Sequence, residues 1–280
     1  MLTLRRKAIN AIMLGLTGLC TLVAVGTLLF ILGYLFAHGG KSLTWDFFRK
    51  LPAPVGETGG GMANALLGSA KLLLLATLIG VPIGILGGVY LAEFGGSVFS
   101  FLVRYTTDLL NGVPSIVIGV FAYTVIVLPQ GHFSTLAGGI ALGVMMIPIA
   151  IRSSEEFLRA VPLSLREGAM ALGASKAKTI LTVVIPAAKA GLITGILLNL
   201  ARVAGETAPL IFTSFGNQFW SPGWDQPTAA LPVMIYLYAI SPYEDWHTQA
   251  WSAGFVLLML VLAVNVIARA ILSKKGHVAR

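Results

Sequence analysis

From Ala8 to Ala37 the chain runs 30 residues without one charged side chain. About 20 apolar residues suffice to cross a bilayer. The apolar core of a signal peptide is shorter, about 7–15 residues. The run therefore reads as an uncleaved first membrane span, near 10–37, and Arg5, Arg6 and Lys7 precede it. Comparable apolar stretches recur near 65–91, 106–129, 135–153, 190–213 and 250–272. Hydrophobic residues make up 56% of the 280 and charged residues 11%, against about 45–50% and 25% in soluble domains. The sequence predicts an all-α polytopic membrane protein with six transmembrane helices. No long polar segment is left to fold apart, so residues 1–280 form one expected membrane domain.

The formal charge of +8 is explained by orientation rather than by nucleic acid. With both termini inside, 14 of the 19 basic residues fall in inner segments, among them Arg104, Arg152, Arg159, Arg166, Lys176, Lys178, Lys189, Lys274, Lys275 and Arg280. The outer loops hold Lys41, Arg49 and Lys50. That asymmetry places both termini in the cytoplasm. Cys20 is the sole cysteine, so no intrachain disulfide forms. His38, His132, His247 and His277 are scattered without metal-ligand spacing, and no metal or cofactor is expected. No Gly-x-Ser-x-Gly elbow or His-Glu-x-x-His occurs. Gly56 to Gly61 lacks the Lys-Ser/Thr of a phosphate-binding loop. No catalytic residue is expected. Glu155-Glu156 and Glu244-Asp245 read as solvated helix faces, and Arg104 and Asp108 share a face four residues apart.

Trp45, Phe47 and Phe48 read as an interfacial belt in an outer loop at 38–64. Pro82, Gly84, Gly87 and Gly88 interrupt the second span, where small residues let helices approach closely. Pro114 lies in the third span and Pro148 in the fourth. An outer loop of about 35 residues with Trp220, Trp224 and Trp246 separates the last two spans.

One polar island interrupts the apolar pattern, at about 154–189. Leu158, Val161, Leu165, Ala169 and Leu172 recur at spacings of three or four, which predicts an amphipathic helix. Gly173 suits the left-handed residue that ends such a helix. A second helix is expected from about Ala174 to Ile185, with Pro186 marking the approach to the fifth span. The result is a helix–turn–helix projecting into the cytoplasm. Lying flat on the inner leaflet is the other use of such a helix.

Here the residues Glu167-Gly168-Ala169, three residues, Gly173, nine residues, Val183, one residue, Ile185-Pro186 closely resemble the Glu-Ala-Ala motif of ABC importer permeases. Gly168, Val183 and Ile185 replace the family's alanine, isoleucine and leucine within the same size class. Ala201 to Leu210, with its Gly-Glu-Thr-Ala-Pro-Leu run, and Asn111 to Gly119 resemble the fifth and third spans of phosphate permeases of that family. The likeness extends over nearly the whole chain. It implies the type I importer permease fold, with the island as a coupling helix that docks on an ATPase through Glu167, Gly168, Ala169, Gly173 and Pro186. It further implies a homologous permease subunit as heterodimer partner, two copies of an ATP-binding subunit, a periplasmic phosphate-binding protein and phosphate as substrate, in the bilayer of a bacterial inner membrane. Sulfate and molybdate are the alternative oxyanions. An ion-driven secondary transporter is the alternative from another class; it needs inverted repeats, and none is found.

Arg202 and Glu206 lie inside the predicted fifth span. An arginine at a helix centre costs about 2.5–3.5 kcal/mol on insertion scales, so such residues face a bundle interior. At about 100° per residue, Gly195, Asn199, Arg202, Glu206, Pro209 and Thr213 would share one face of a continuous helix. With Thr207, Asn199, Arg202 and Glu206 are the candidate substrate pathway. The guanidinium is a permanent, multi-donor partner for an oxyanion, and a neighbouring carboxylate weakens its hold so that the anion is released. An ion pair locking two helices is the structural alternative.

Overall fold

The computed structural model of the chain describes residues 2–41, 43–57 and 59–276; Arg280 and His277 of the sequence reading lie outside them. Five long helices are apolar enough to cross a membrane: α1 (Leu2–Leu35), α2 (Ala63–Glu93), α5 (Thr135–Arg159), α7 (Lys176–Val203) and α10 (Glu244–Gly276). Two further pieces, α3 (Val98–Gly112) and α4 (Ser115–Gln130), meet at 99° and pass the same length and composition test only together, as a broken span or a re-entrant loop. Shorter helices complete the chain: α6 (Leu163–Ala171), α8 (Ala208–Ile211) and α9 (Leu231–Ala239).

The third span was expected to be one helix over 106–129. It is broken at Val113-Pro114, where both residues adopt extended ψ. Proline has no N–H to give the preceding turn, and it pushes the residue before it out of the helical region. Pro82 and Pro148, by contrast, sit inside unbroken helices. Two further prolines are absorbed without a break. Pro129 and Pro186 each follow one π-helical turn, Tyr123–Val127 and Ile180–Val184. A wider turn changes which carbonyl faces the missing donor, so Pro186 lies within α7 instead of preceding it.

The bundle is built on α2 against α5. Gly80, Gly84 and Gly88 recur every fourth residue on one face of α2. A Cβ at Gly80 would stand 2.7 Å from Met146 Cβ, and one at Gly84 would overlap Ala150. Close backbone approach of this kind is how helices associate in lipid, where burial of apolar surface supplies no drive. Leu72, Ala76, Leu142, Met146, Val203 and Leu210 fill the centre. Toward the inner end, Leu158, Val161, Val184, Ala188 and Leu192 form a second cluster.

The 35-residue outer loop of the sequence reading is only partly a loop. It contains α9, whose Leu231, Met234 and Tyr238 are buried against Phe47, Met62 and Ala65, while Val233 joins the central cluster with Leu72 and Met146. Helix α1 stands apart. Its apolar residues, such as Leu22 and Phe30, are exposed along its length, and it joins the bundle only at its foot. There Tyr34 meets Trp251 edge-on at 5.2 Å, and Phe36 meets Phe255 at 5.6 Å.

Candidate functional site: a broken helix and an exposed polar island

The polar island differs in its boundaries from the expectation. Leu158 and Arg159 belong to the end of α5, and Ala160 to Pro162 separate them from α6. The predicted helix from Leu158 to Leu172 is therefore two helices, divided where Pro162 opens the second. The predicted second helix runs on without interruption into the membrane as α7.

Gly173 has φ +85°. Its N–H donates to Met170 O at 2.9 Å, and the N–H of Ala174 donates to Ala169 O at 3.2 Å. This pair of bonds is the Schellman closure of a helix. Ala169 and Gly173 are thus two ends of one device, the acceptor and the left-handed residue of a single turn. Ser175 then caps α7, its Oγ accepting from the N–H of Lys178 at 3.3 Å. Sequence reasoning missed this cap, although a serine just before a helix carries the signal.

No residue of α6 is buried. Leu163, Leu165 and Met170 of α6 are exposed, and Leu172, just past its end, is exposed to 91%. Leu165 and Leu172 fall on one side of the helix, and Leu163 and Met170 line a cleft with Arg166 and Glu93 on the other. Glu167 and Gly168 are exposed beside them. An exposed helix with large apolar side chains beside polar ones has the character of an interaction surface.

What ties α6 to the bundle is charge. Arg166 pairs with Glu93 at the end of α2 and donates through Nη2 to Leu158 O at 2.6 Å. Lys176 donates to the backbone carbonyl of Glu93 at 2.8 Å and lies 4.0 Å over the ring of Phe94. Glu155 was expected to be solvated. It is 3% exposed and receives Arg104 Nε at 2.8 Å and Arg159 Nη2 at 3.0 Å. Arg104 reaches across to this carboxylate and not along its own helix to Asp108. The carboxylates are buried, but Arg104 and Arg159 are 25% and 51% exposed, so solvent screens these pairs below the roughly 3–5 kcal/mol of a fully buried one.

The second candidate group is at the end of α7 away from the island. Helix α7 ends at Val203, and α8 begins only at Ala208. The fifth span was expected to be continuous over 190–213; the break overturns the single polar face drawn through Arg202, Glu206, Pro209 and Thr213. Pro209 lacks the N–H that would bond Gly205 O in a continued helix, and its ring would clash there. Gly205 is exposed in this turn, and a Cβ there would meet only Arg202 O, at 3.7 Å. Gly205 N–H and Glu206 N–H close back on Arg202 O and Val203 O, both at 3.1 Å.

Arg202, Glu206 and Thr207 come together at this junction. Arg202 is exposed, while Glu206 and Thr207 are partly exposed. Asn199 is one turn behind them and 2% exposed. Its Nδ2 donates to Met146 O at 2.9 Å, which fastens α7 to α5, and its Oδ1 is buried without a partner. No ion pair among the described residues joins Arg202 to Glu206. The arrangement offers a guanidinium, a carboxylate, a hydroxyl and backbone N–H groups at an interrupted helix in the apolar zone. Irregular backbone at that depth is tolerated only where protein or a water-filled cavity covers it.

Comparison with known proteins gives three findings. The family described as "binding-protein-dependent transport system inner membrane component" matches residues 80–276. The chain is 44% identical over 273 residues to the "Phosphate transport system permease protein PstA" of Yersinia pestis, covering 97% of this chain and 92% of that one. The protein of the same description from Xylella fastidiosa is 45% identical, covering 96% and 94%. Among solved structures, the fold is similar to a "bacterial ABC transporter involved in the import of the acidic polysaccharide alginate", with a TM-score of 0.57, 15% identity and coverage of 95% and 97%.

Proposed function

The chain belongs to the inner-membrane components of binding-protein-dependent transport systems, and from that premise we propose that it is the permease subunit of a phosphate importer driven by a separate ATPase. The observation that carries the substrate is the 44–45% identity, over nearly the whole chain, to permeases described as phosphate transport proteins. The chain is a non-catalytic transport component; nucleotide chemistry is done by another subunit.

In this reading the protein spans a bacterial inner membrane as one domain, with both termini in the cytoplasm. It pairs with a homologous permease, and each permease meets one copy of the ATP-binding subunit. A periplasmic phosphate-binding protein delivers the substrate. The exposed side of α6 that carries Leu165 and Leu172, with Glu167 and Gly168, docks on the ATPase, and the Ala169–Gly173 turn holds the helix at a fixed angle. Pro186 stiffens the base of α7.

The junction at Arg202 is the inner lining of the pathway. Arg202 meets the anion, Glu206 limits how tightly it is held, Thr207 offers a neutral hydroxyl, and Asn199 braces α7 from behind. The exposure of Arg202 in the isolated chain supports this role, because a cation in the apolar zone needs an aqueous or protein-lined surface. Closure of the ATPase pair displaces α6, the membrane helices rock, and the cavity faces outward; hydrolysis returns it.

Co-purification decides between this reading and an ion-driven carrier. Membranes solubilised in mild detergent yield the tagged chain together with an ATP-hydrolysing subunit and a second permease. Recovery of the chain as a transport-active homo-oligomer without any ATPase would overturn the proposal.

A further inference from the structure

Glu93 and Glu155 differ from the other paired acids of the chain. Their side chains are 8% and 4% exposed, whereas Asp46, Glu156 and Asp225 in ion pairs are 53%, 68% and 65% exposed. Each sits near the inner end of one membrane helix and is held by a cation from a different element. Glu93 closes α2 and is gripped by Arg166 of α6. Glu155, on α5, is gripped by Arg104 of α3 and by Arg159 of its own helix.

Arg104 reaches further still. Its terminal nitrogens donate to Leu91 O at 3.0 Å and Gly95 O at 3.2 Å, in the last turn of α2 and just beyond it. One guanidinium therefore fastens three membrane helices. Helix α3 leads through the 99° bend into α4. Helix α4 in turn touches the junction that bears Arg202, since a Cβ at Gly119 would lie 2.7 Å from Pro209 Cα.

Helix α6 has no buried residue with which to push on the bundle. Force applied to it is passed on through its chain ends and its charge contacts. A planar guanidinium in several short bonds holds direction as well as distance.

We infer that Glu93 and Glu155 are positioning residues that carry displacement of the coupling helix into the membrane helices. Glu93 attaches α6 to α2, and Glu155 latches α3 onto α5, so that α4 and the Arg202 junction move with them. The inference rests on the proposed function and adds the residues that transmit the stroke.

The test compares uptake and ATP hydrolysis in the complete transporter, at equal amounts of assembled complex in proteoliposomes with the binding protein present. Glu93→Gln and Glu155→Gln keep the side-chain shape and remove the charge. Both retain ATP hydrolysis, while phosphate carried per ATP falls about tenfold, within the usual range of coupling free energies. Charge reversal, Glu93→Arg with Arg166→Glu, restores part of that ratio. Arg104→Gln serves as the second variant of the Glu155 latch if Glu155→Gln does not assemble, and it lowers the same ratio. An unchanged ratio, or uptake and hydrolysis falling in parallel, would overturn the inference by showing a purely structural role. Failure of the unmutated complex to take up phosphate with ATP would instead count against the proposed function.

Discussion

Arg202 and Glu206 stand on opposite sides of a helix terminus: α7 stops at Val203 between them, and no ion pair among the described residues joins their side chains. The pair does not brace two helices of this chain. Arg202 is left exposed where a cation needs a partner of opposite charge.

Neutralising Arg202 therefore stops transport without dismantling the protein. Arg202→Gln is expected to assemble normally and to carry little phosphate, because Glu206 then faces the anion uncompensated. Two unit charges 4 Å apart interact by about 4 kcal/mol at an effective dielectric near 20, enough to close a path. The double variant Arg202→Gln, Glu206→Gln stays inactive if the guanidinium meets phosphate. Uptake by both variants at equal levels of complex is the measurement, and full activity of the double variant would rule out Arg202 as a required contact.

The turn after α6 depends on backbone conformation alone. At Gly173 a Cβ would meet nothing within 4 Å, so space is not the obstacle; φ +85° is. A residue with a Cβ loses roughly 1–2 kcal/mol there, a factor of about 5–30 in the population of the closed turn. Gly173→Leu and Gly173→Ala both weaken ATPase association or uncouple hydrolysis from uptake, while Gly173→Asn, which tolerates this conformation, is milder. Wild-type uptake by Gly173→Leu would remove the docking role of this turn.

Packing of α2 on α5 gives a different kind of prediction. Gly84→Val places branched carbons where Ala150 already lies. Overpacking costs typically about 1–3 kcal/mol, and here it separates the two central helices. Yield of folded complex falls, and Gly84→Ala is intermediate. Equal thermal stability of Gly84→Val and the unmutated protein would contradict the close approach.

Between α4 and α5, His132 faces acceptors on both ring nitrogens. Nδ1 is 2.9 Å from Gln130 O, and Nε2 is 3.2 Å from a carboxylate oxygen of Asp225. The bond to Asp225 raises the histidine above its ordinary value of 6.5, against a smaller opposing effect of burial. The folded state binds this proton more tightly, so the contribution is fully present below the unfolded value and is lost as pH rises through the raised folded one. Thermal melts across that window show a small decline with pH, which Asp225→Asn removes. A decline that persists in Asp225→Asn would assign it elsewhere.

Much of this was legible in the chain because it is written in local chemistry. Six apolar runs locate the crossings, and Gly173 announces a left-handed residue because few others adopt one. The breaks at Pro114 and Pro209 were not legible in the same way. Pro82 and Pro148 carry the same ring inside intact helices, and which prolines break is decided by the packing around them. Hydropathy counts apolar residues and is blind to a bend, so 190–213 read as one helix. Glu155 was misread for a related reason. The residue that buries it most directly, Arg104, lies 51 positions away, and nothing beside Glu155 in sequence marks a buried acid.

The central claim is tested most directly by transport itself. Proteoliposomes holding the chain with its sister permease and ATPase are given radiolabelled phosphate and the binding protein outside the substrate-receiving face, with ATP on the cytoplasmic face. The account predicts phosphate accumulation that requires ATP, persists when ion gradients are collapsed, and is not matched by sulfate or molybdate. Accumulation that follows an ion gradient without ATP, or equal transport of sulfate, would contradict it.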